Sequence, residues 1–292
     1  MMVTLKNNFL TVQINEQGAE LSSVKNDEGI EYIWQADPEI WGRHAPVLFP
    51  NVGRLKDDQY HFQGQTFKMG QHGFARDMKF QVTEQTDTRV VLQLKSSKQS
   101  KTKYPFEFVL ELIFTLDEHR LNEEYHVFNP SDQSDLLFSI GGHPGFNINL
   151  GTNISLDQET LEIVPSKKYS HIPLAIPLSD PEHKDQIDWS QKKTLSREFF
   201  KDDAVILELN REQTTLMLNN TDNDHGVALT VDNAPYIGIW SPYPAEGPFV
   251  CLEPWWGIAD PVNTDGEWST KLAMNTLKPS ENFNEHFEMT FF

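Results

Sequence analysis

The 292-residue chain is 38% hydrophobic and 11% aromatic, enough for a sizeable core in one large β domain or two smaller ones. Its 24 Lys and Arg stand against 43 Asp and Glu, a formal charge of −19 that argues against nucleic acid and anionic membrane surfaces as partners. A single cysteine, Cys251, rules out an intramolecular disulfide; with no membrane-length apolar run and no signal-peptide core in residues 1–8, a soluble cytoplasmic protein is expected.

Short strands are predicted from the start, over residues 3–6, 9–14, 19–25 and 31–34, with Leu21 and Val24 pointing inward. Residues 38–49, which include Trp41, read as a covering loop with apolar anchors, and residues 60–67 as a hairpin closed by Gln63-Gly64. Phe80 and Val82, then Val90, Leu92 and Leu94, alternate in the period of half-buried strands. Phe106, Phe108, Leu110, Leu112, Phe114 and Leu116 form the longest strict alternation, and residues 121–128 return. Leu136-Leu137-Phe138 reads as a strand running into the middle of a sheet, broken by Gly141, Gly142, Pro144 and Gly145. Downstream, residues 154–164 supply one or two strands, 173–190 a long surface loop, and 195–200 a short helix or irregular segment. Further strands are expected at 205–207, 215–218, 227–231, 236–240, 249–252 (ended by Pro254) and 287–292. No heptad, fixed repeat, low-complexity tract or linker interrupts the pattern, so one all-β sandwich domain over residues 1–292 is expected.

Nucleotide and metal motifs are absent: there is no GxGxxG, P-loop, CxxC or HExxH. Two histidines stand among glycines. In Gly141-Gly142-His143-Pro144-Gly145 the small residues leave one imidazole on display, and Gln71-His72-Gly73 repeats the device, with His72 read as exposed. Glu253 lies between Val250-Cys251-Leu252 and Pro254-Trp255-Trp256, an apolar setting where a carboxylate needs a partner or a task. Partial burial would raise its pKa toward the range of a general base, whereas a structural arginine would neutralise it. Trp34, Trp255 and Trp256 offer flat faces suited to sugar rings or to core packing. Arg54 carries a fork of donors suited to hydroxyl-rich ligands or to a surface salt bridge, and Asp203 precedes a strand as a turn carboxylate.

Together, Asn51-Val52-Gly53-Arg54, Gln71-His72-Gly73-Phe74-Ala75-Arg76, Gly141-Gly142-His143-Pro144-Gly145-Phe146-Asn147, Asp202-Asp203-Ala204 and Cys251-Leu252-Glu253-Pro254-Trp255 resemble the aldose 1-epimerase (galactose mutarotase) superfamily, LacX-type branch. The resemblance spans nearly the whole chain. It implies a large twisted antiparallel β-sandwich with few short helices and a monosaccharide-binding face. It also implies a cofactor-independent isomerase with His143 as general acid and Glu253 as general base. Arg54, His72, Asp203 and Trp255 become substrate ligands, Asp203 with its neighbour Asp202 as competitor. The setting departs from galactose mutarotases, where a Thr/Asn-His-x-Tyr-Phe-Asn pattern surrounds the acid and Thr-Gln follows the glutamate.

Ring opening removes the proton from the C1 hydroxyl while O5 is protonated, so acid and base must start in opposite states. An ionised Glu253 and a protonated His143 at rest are expected, with a bell-shaped kcat/KM profile. The rival readings are a hexose-6-phosphate 1-epimerase, with Arg43, Arg54 and Arg76 as phosphate donors, and a sugar-binding protein without turnover. A monomer or homodimer acting on a free or phosphorylated hexose is expected, with no metal.

Overall fold

A computed structural model describes residues 1–148, 150–151, 155–220 and 224–292. Among them, two large antiparallel sheets stack as a sandwich, one of nine strands and one of eight. The nine-stranded sheet has the long strands at its centre: Asn282–Phe291, Arg120–Phe128, Val109–Asp117 and Arg89–Lys95. The eight-stranded sheet runs from Asp185–Asp188 through Lys168–Ile172, Val205–Glu208, Tyr236–Trp240 and Phe249–Trp256 to Ile140–Gly142 and Val47–Leu48, with Gly145–Asn147 also paired to Phe249–Trp256. Helical turns are few and none exceeds four residues among the described residues. No helix there is long and apolar enough to cross a membrane.

Period-two alternation explains the layering. Leu110, Leu112, Phe114 and Leu116 from one sheet meet Ile237, Ile239, Leu252 and Trp256 from the other in one buried cluster that extends from Val3 to Phe291. Each fully buried aliphatic or aromatic side chain there contributes about 1.5–3 kcal/mol. The intervening positions of the eight-stranded sheet, Ile206, Tyr236 and Trp255, belong to a second cluster on its other face. That other face carries the site.

Leu21 and Val24 are both buried despite their odd spacing, because a bulge opposite Gln13 and Ile14 resets the parity. Residues 31–34 make only isolated bridges, Lys25 to Glu31 and Ile33 to Phe146, in place of the expected strand. Leu136–Phe138 pairs only with Asn275–Leu277; the strand entering the large sheet is Ile140–Gly142, so Gly141 and Gly142 lie inside it and the break falls at His143-Pro144. The expected 173–190 loop contains the hairpin Leu174–Ala175/Leu178–Ser179 and the strand Asp185–Asp188, ladders too short to register as alternation. The 154–164 prediction is realised as Glu159–Val164, and Ile154 lies outside the described residues. Residues 195–200 form the 3₁₀ turn Arg197–Phe200.

The strand expected to stop before Pro254 continues to Trp256. Leu252 N–H donates to Pro144 C=O at 3.3 Å, and groups two residues apart point to the same edge, so Pro254 turns its missing N–H toward the gap between Ile140–Gly142 and Gly145–Asn147. The proline therefore costs no hydrogen bond to Tyr236–Trp240. The same gap is where His143 protrudes.

Candidate active site

Along Phe249–Trp256 the side chains alternate: Val250, Leu252 and Trp256 enter the core, while Cys251, Glu253 and Trp255 face the opposite way. Trp255 lies across two neighbouring strands that offer it glycines. A Cβ at Gly141 would come within 2.7 Å of its ring, and one at Gly238 within 2.7 Å as well. Trp34 packs on Phe249 and Trp256 on Tyr125, so of the three tryptophans only Trp255 reaches the cavity.

The cavity measures about 310 Å³. All six residues singled out in the sequence line it: Arg54, His72, His143, Asp203, Glu253 and Trp255. Asp202 is exposed and does not, so Asp203 is the aspartate that faces the site. Sequence reasoning missed Gln71 and Trp240 as wall residues, left Trp41 as a loop anchor, and weighed Arg76 only as a phosphate donor.

His143 Nε2 lies 3.2 Å from Glu253 Oε2, and both side chains are buried. Trp41 stacks on the imidazole at 4.9 Å between centroids, Trp240 meets it edge-on at 5.7 Å and His72 at 5.6 Å. No arginine forms an ion pair with Glu253 among the described residues; its partner is the histidine. Burial, reinforced by the Asp203 charge, pushes the Glu253 carboxyl well up. Burial, with help from Arg76 and Arg43, pulls His143 down to about 3. Both directions suppress charge. Burial thus acts against the ionised Glu253 and protonated His143 expected from sequence.

His72 is buried, not exposed as read from its glycine neighbours. Its backbone φ is +65°, a left-handed conformation held by two contacts to Gly53. His72 N–H donates to Gly53 C=O at 2.8 Å, and Gly53 N–H donates to His72 Nδ1 at 3.1 Å. Because Nδ1 accepts, the ring proton sits on Nε2, which is left to donate into the cavity. Burial and the nearby His143 keep this imidazole well below its usual range, hence neutral. Gly73 closes the same turn at φ +71°, and a Cβ there would lie 2.3 Å from Phe49 O. Gly73→Ala is expected to lower the unfolding free energy by about 2–5 kcal/mol through left-handed strain plus overpacking. Urea denaturation measures it, and an unchanged midpoint would contradict the clash.

Three guanidinium groups gather on this side of a strongly acidic chain. Arg54 donates to Asp58 at 3.0 Å and to Gln71 at 3.1 Å, and Arg43 pairs with Asp77 at 2.7 Å. Arg76 donates to Gln71 C=O at 2.7 Å, has no carboxylate within ion-pair distance among the described residues, and buries an unpartnered Nε. Burial and Arg43 lower its pKa to about 10, which leaves it charged at neutral pH. The Arg54 backbone is held from below: Asp260 N–H donates to Arg54 C=O at 3.0 Å, and Asp260 Oδ2 accepts from Lys56 N–H at 3.0 Å. A buried Lys271 stands 3.6 Å from Asp260 and donates to Ile258 C=O. Burial pushes the Asp203 carboxyl up, with donors at Ala204 and Trp240 offsetting part of the effect.

The arrangement therefore gathers the His143–Glu253 pair, neutral and cationic donors, a carboxyl and indole faces around one cavity. Residues 1–284 match the family model described as aldose 1-epimerase. The chain belongs to the aldose 1-epimerase family. It is 40% identical to a galactose mutarotase related enzyme from Lactobacillus acidophilus, with a TM-score of 0.98 over 100% of this chain and 97% of that one. A galactose mutarotase-like protein from Lactobacillus casei is 31% identical at a TM-score of 0.92, with both chains fully covered. Among curated proteins, the chromosomal LacX protein of Lactococcus lactis is 29% identical over 99% of each chain. The galactose mutarotase-like fold of this aldose 1-epimerase family member agrees with the strand order above.

Proposed function

We propose that this chain is a cofactor-independent aldose 1-epimerase that interconverts the α and β anomers of a hexose, with Glu253 as base and His143 as acid. The observation that carries the reading is the 3.2 Å contact between His143 Nε2 and Glu253 Oε2 at the floor of a donor-lined cavity. The two oxygens that exchange protons, O1 and O5, are bonded to the same carbon, so their acid and base must stand side by side. Glu253 takes the O1 proton as His143 gives one to O5, and the C1–O5 bond breaks to leave the aldehyde. The pair holds one proton before and after. Rotation about C1–C2 and the reverse transfers close the ring as the other anomer.

The forward step uses the tautomer with the proton on His143, one transfer along the existing contact. A sugar O1–H donating to Glu253 favours its carboxylate form and hence that tautomer. Arg54, His72 through Nε2–H, and Arg76 donate to ring hydroxyls, Asp203 accepts, and Trp255 packs against the ring face.

Polarimetry of α-D-glucose and α-D-galactose with and without the protein tests the reading; a rate equal to the spontaneous one for both would defeat it for free sugars. Because the active pair carries one proton throughout, kcat/KM is expected to be flat across the ordinary histidine range and to fall at higher pH as the pair loses that proton. A limb centred at the ordinary histidine value would contradict the shared-proton state. Arg76, charged and with no carboxylate within ion-pair distance among the described residues, favours a second reading in which the sugar carries an anionic substituent, as in a hexose 6-phosphate. Acceleration with glucose 6-phosphate but not glucose selects it.

A further inference from the structure

The mechanism leaves Cys251 unused, although its thiol is turned toward the catalytic pair. Cys251 and Glu253 lie two residues apart on one strand and so share a face, while His143 enters through the gap between Ile140–Gly142 and Gly145–Asn147. One ligand-type atom from each of His143, Cys251 and Glu253 falls within 4.8 Å of the others, and all three residues are buried. Among the described residues this is the one such group of three. The 3.2 Å between His143 Nε2 and Glu253 Oε2 is already close to that of two ligands on one tetrahedral ion. Bonds of about 2.0–2.3 Å place tetrahedral ligands about 3.3–3.7 Å apart, so the thiol needs a side-chain adjustment of about an ångström.

We propose that His143, Cys251 and Glu253 form an inhibitory binding site for zinc or a similar borderline-soft divalent ion. Nitrogen, sulfur and carboxylate oxygen suit zinc, whereas an all-oxygen set would suit magnesium or calcium. The thiol proton passes to solvent as sulfur binds the ion, and the fourth coordination position faces the cavity. An ion there takes up both groups that exchange protons with the sugar, so it blocks turnover. The thiol by itself is no nucleophile: burial and the Glu253 carboxyl push its pKa well up, and only a metal would ionise it.

The test titrates metal-free protein with Zn²⁺ by calorimetry and with Co²⁺ by absorption. One ion per chain is expected, with a near-ultraviolet sulfur-to-cobalt charge-transfer band. Cys251→Ser should lose that band and bind zinc at least about tenfold more weakly, and His143→Gln should weaken binding similarly. Near-ultraviolet circular dichroism checks that each variant is folded, and His143→Gln carries the test if Cys251→Ser does not fold. Absence of one-to-one binding, or binding of full strength in both variants without the band, overturns the site and assigns the ion to surface pairs such as His171–Asp185 or His183–Asp180. None of these readouts depends on turnover, so the site and the mutarotase reading fail separately.

Discussion

Glu253→Gln is expected to lower kcat for catalysed mutarotation by about 10²–10⁴-fold, with the KM for sugar little changed. Glutamine keeps the shape of the uncharged carboxyl that burial favours, so the change removes proton transfer and little else. His143→Ala is expected to fall in the same range, since its imidazole is the other end of the 3.2 Å contact. In the proposed mechanism the two groups act as one relay holding one proton. The double variant should therefore be no slower than the slower single one, a non-additivity that independent contributions would not produce. The measurement is polarimetric, with the spontaneous rate subtracted. A single variant with wild-type kcat would remove that residue from the reaction.

Glu123 is expected to lose its contribution to stability as pH rises from about 4.5 to about 8. It occupies an inward position between Leu121 and Tyr125 on Arg120–Phe128, is 3% exposed, and accepts one hydrogen bond, from Tyr125 Oη at 3.0 Å. Burial raises its carboxyl from 4.5 to about 8. The folded chain therefore holds the proton more tightly than the unfolded chain does. That contribution is complete below pH 4.5 and is lost as pH climbs toward 8, at about 1.4 kcal/mol per unit, or about 5 kcal/mol in all. Glu159, also raised to about 8 by burial, acts in the same direction. Glu123→Gln keeps the acceptor for Tyr125 and should flatten the slope by about 1.4 kcal/mol per pH unit in urea denaturation between those limits. Equal slopes in the two proteins would show that Glu123 ionises within the fold at little cost.

Much of the fold was legible in local pattern. The alternations at Leu110–Leu116 and Leu121–Val127 became central strands because side-chain period and burial coincide there. Two-residue ladders such as Leu174–Ala175 with Leu178–Ser179 were not legible, since so short a pairing leaves no period to detect. Strand length past Pro254 was hidden because a proline is costly only if its edge is paired, and the pairing partner is distant in sequence. In the site, His143 and His72 were found from their glycine settings, yet the burial of His72 was not. Its cover comes from Gly53 and His143, 19 and 71 positions away.

The sequence by itself determined the all-β class, the family resemblance and the identity of the six candidate residues, because strand period, turn residues and short motifs are local properties of the chain. Tertiary structure alone decided that those six share one cavity, that Asp203 and not Asp202 faces it, and that Trp255 lines it while Trp34 and Trp256 pack inside. It also decided the direction in which burial pushes His143 and Glu253. Desolvation depends on everything that surrounds a group, and around His143 and Glu253 that means Trp41, Trp240 and the strands of a sheet assembled from across the chain.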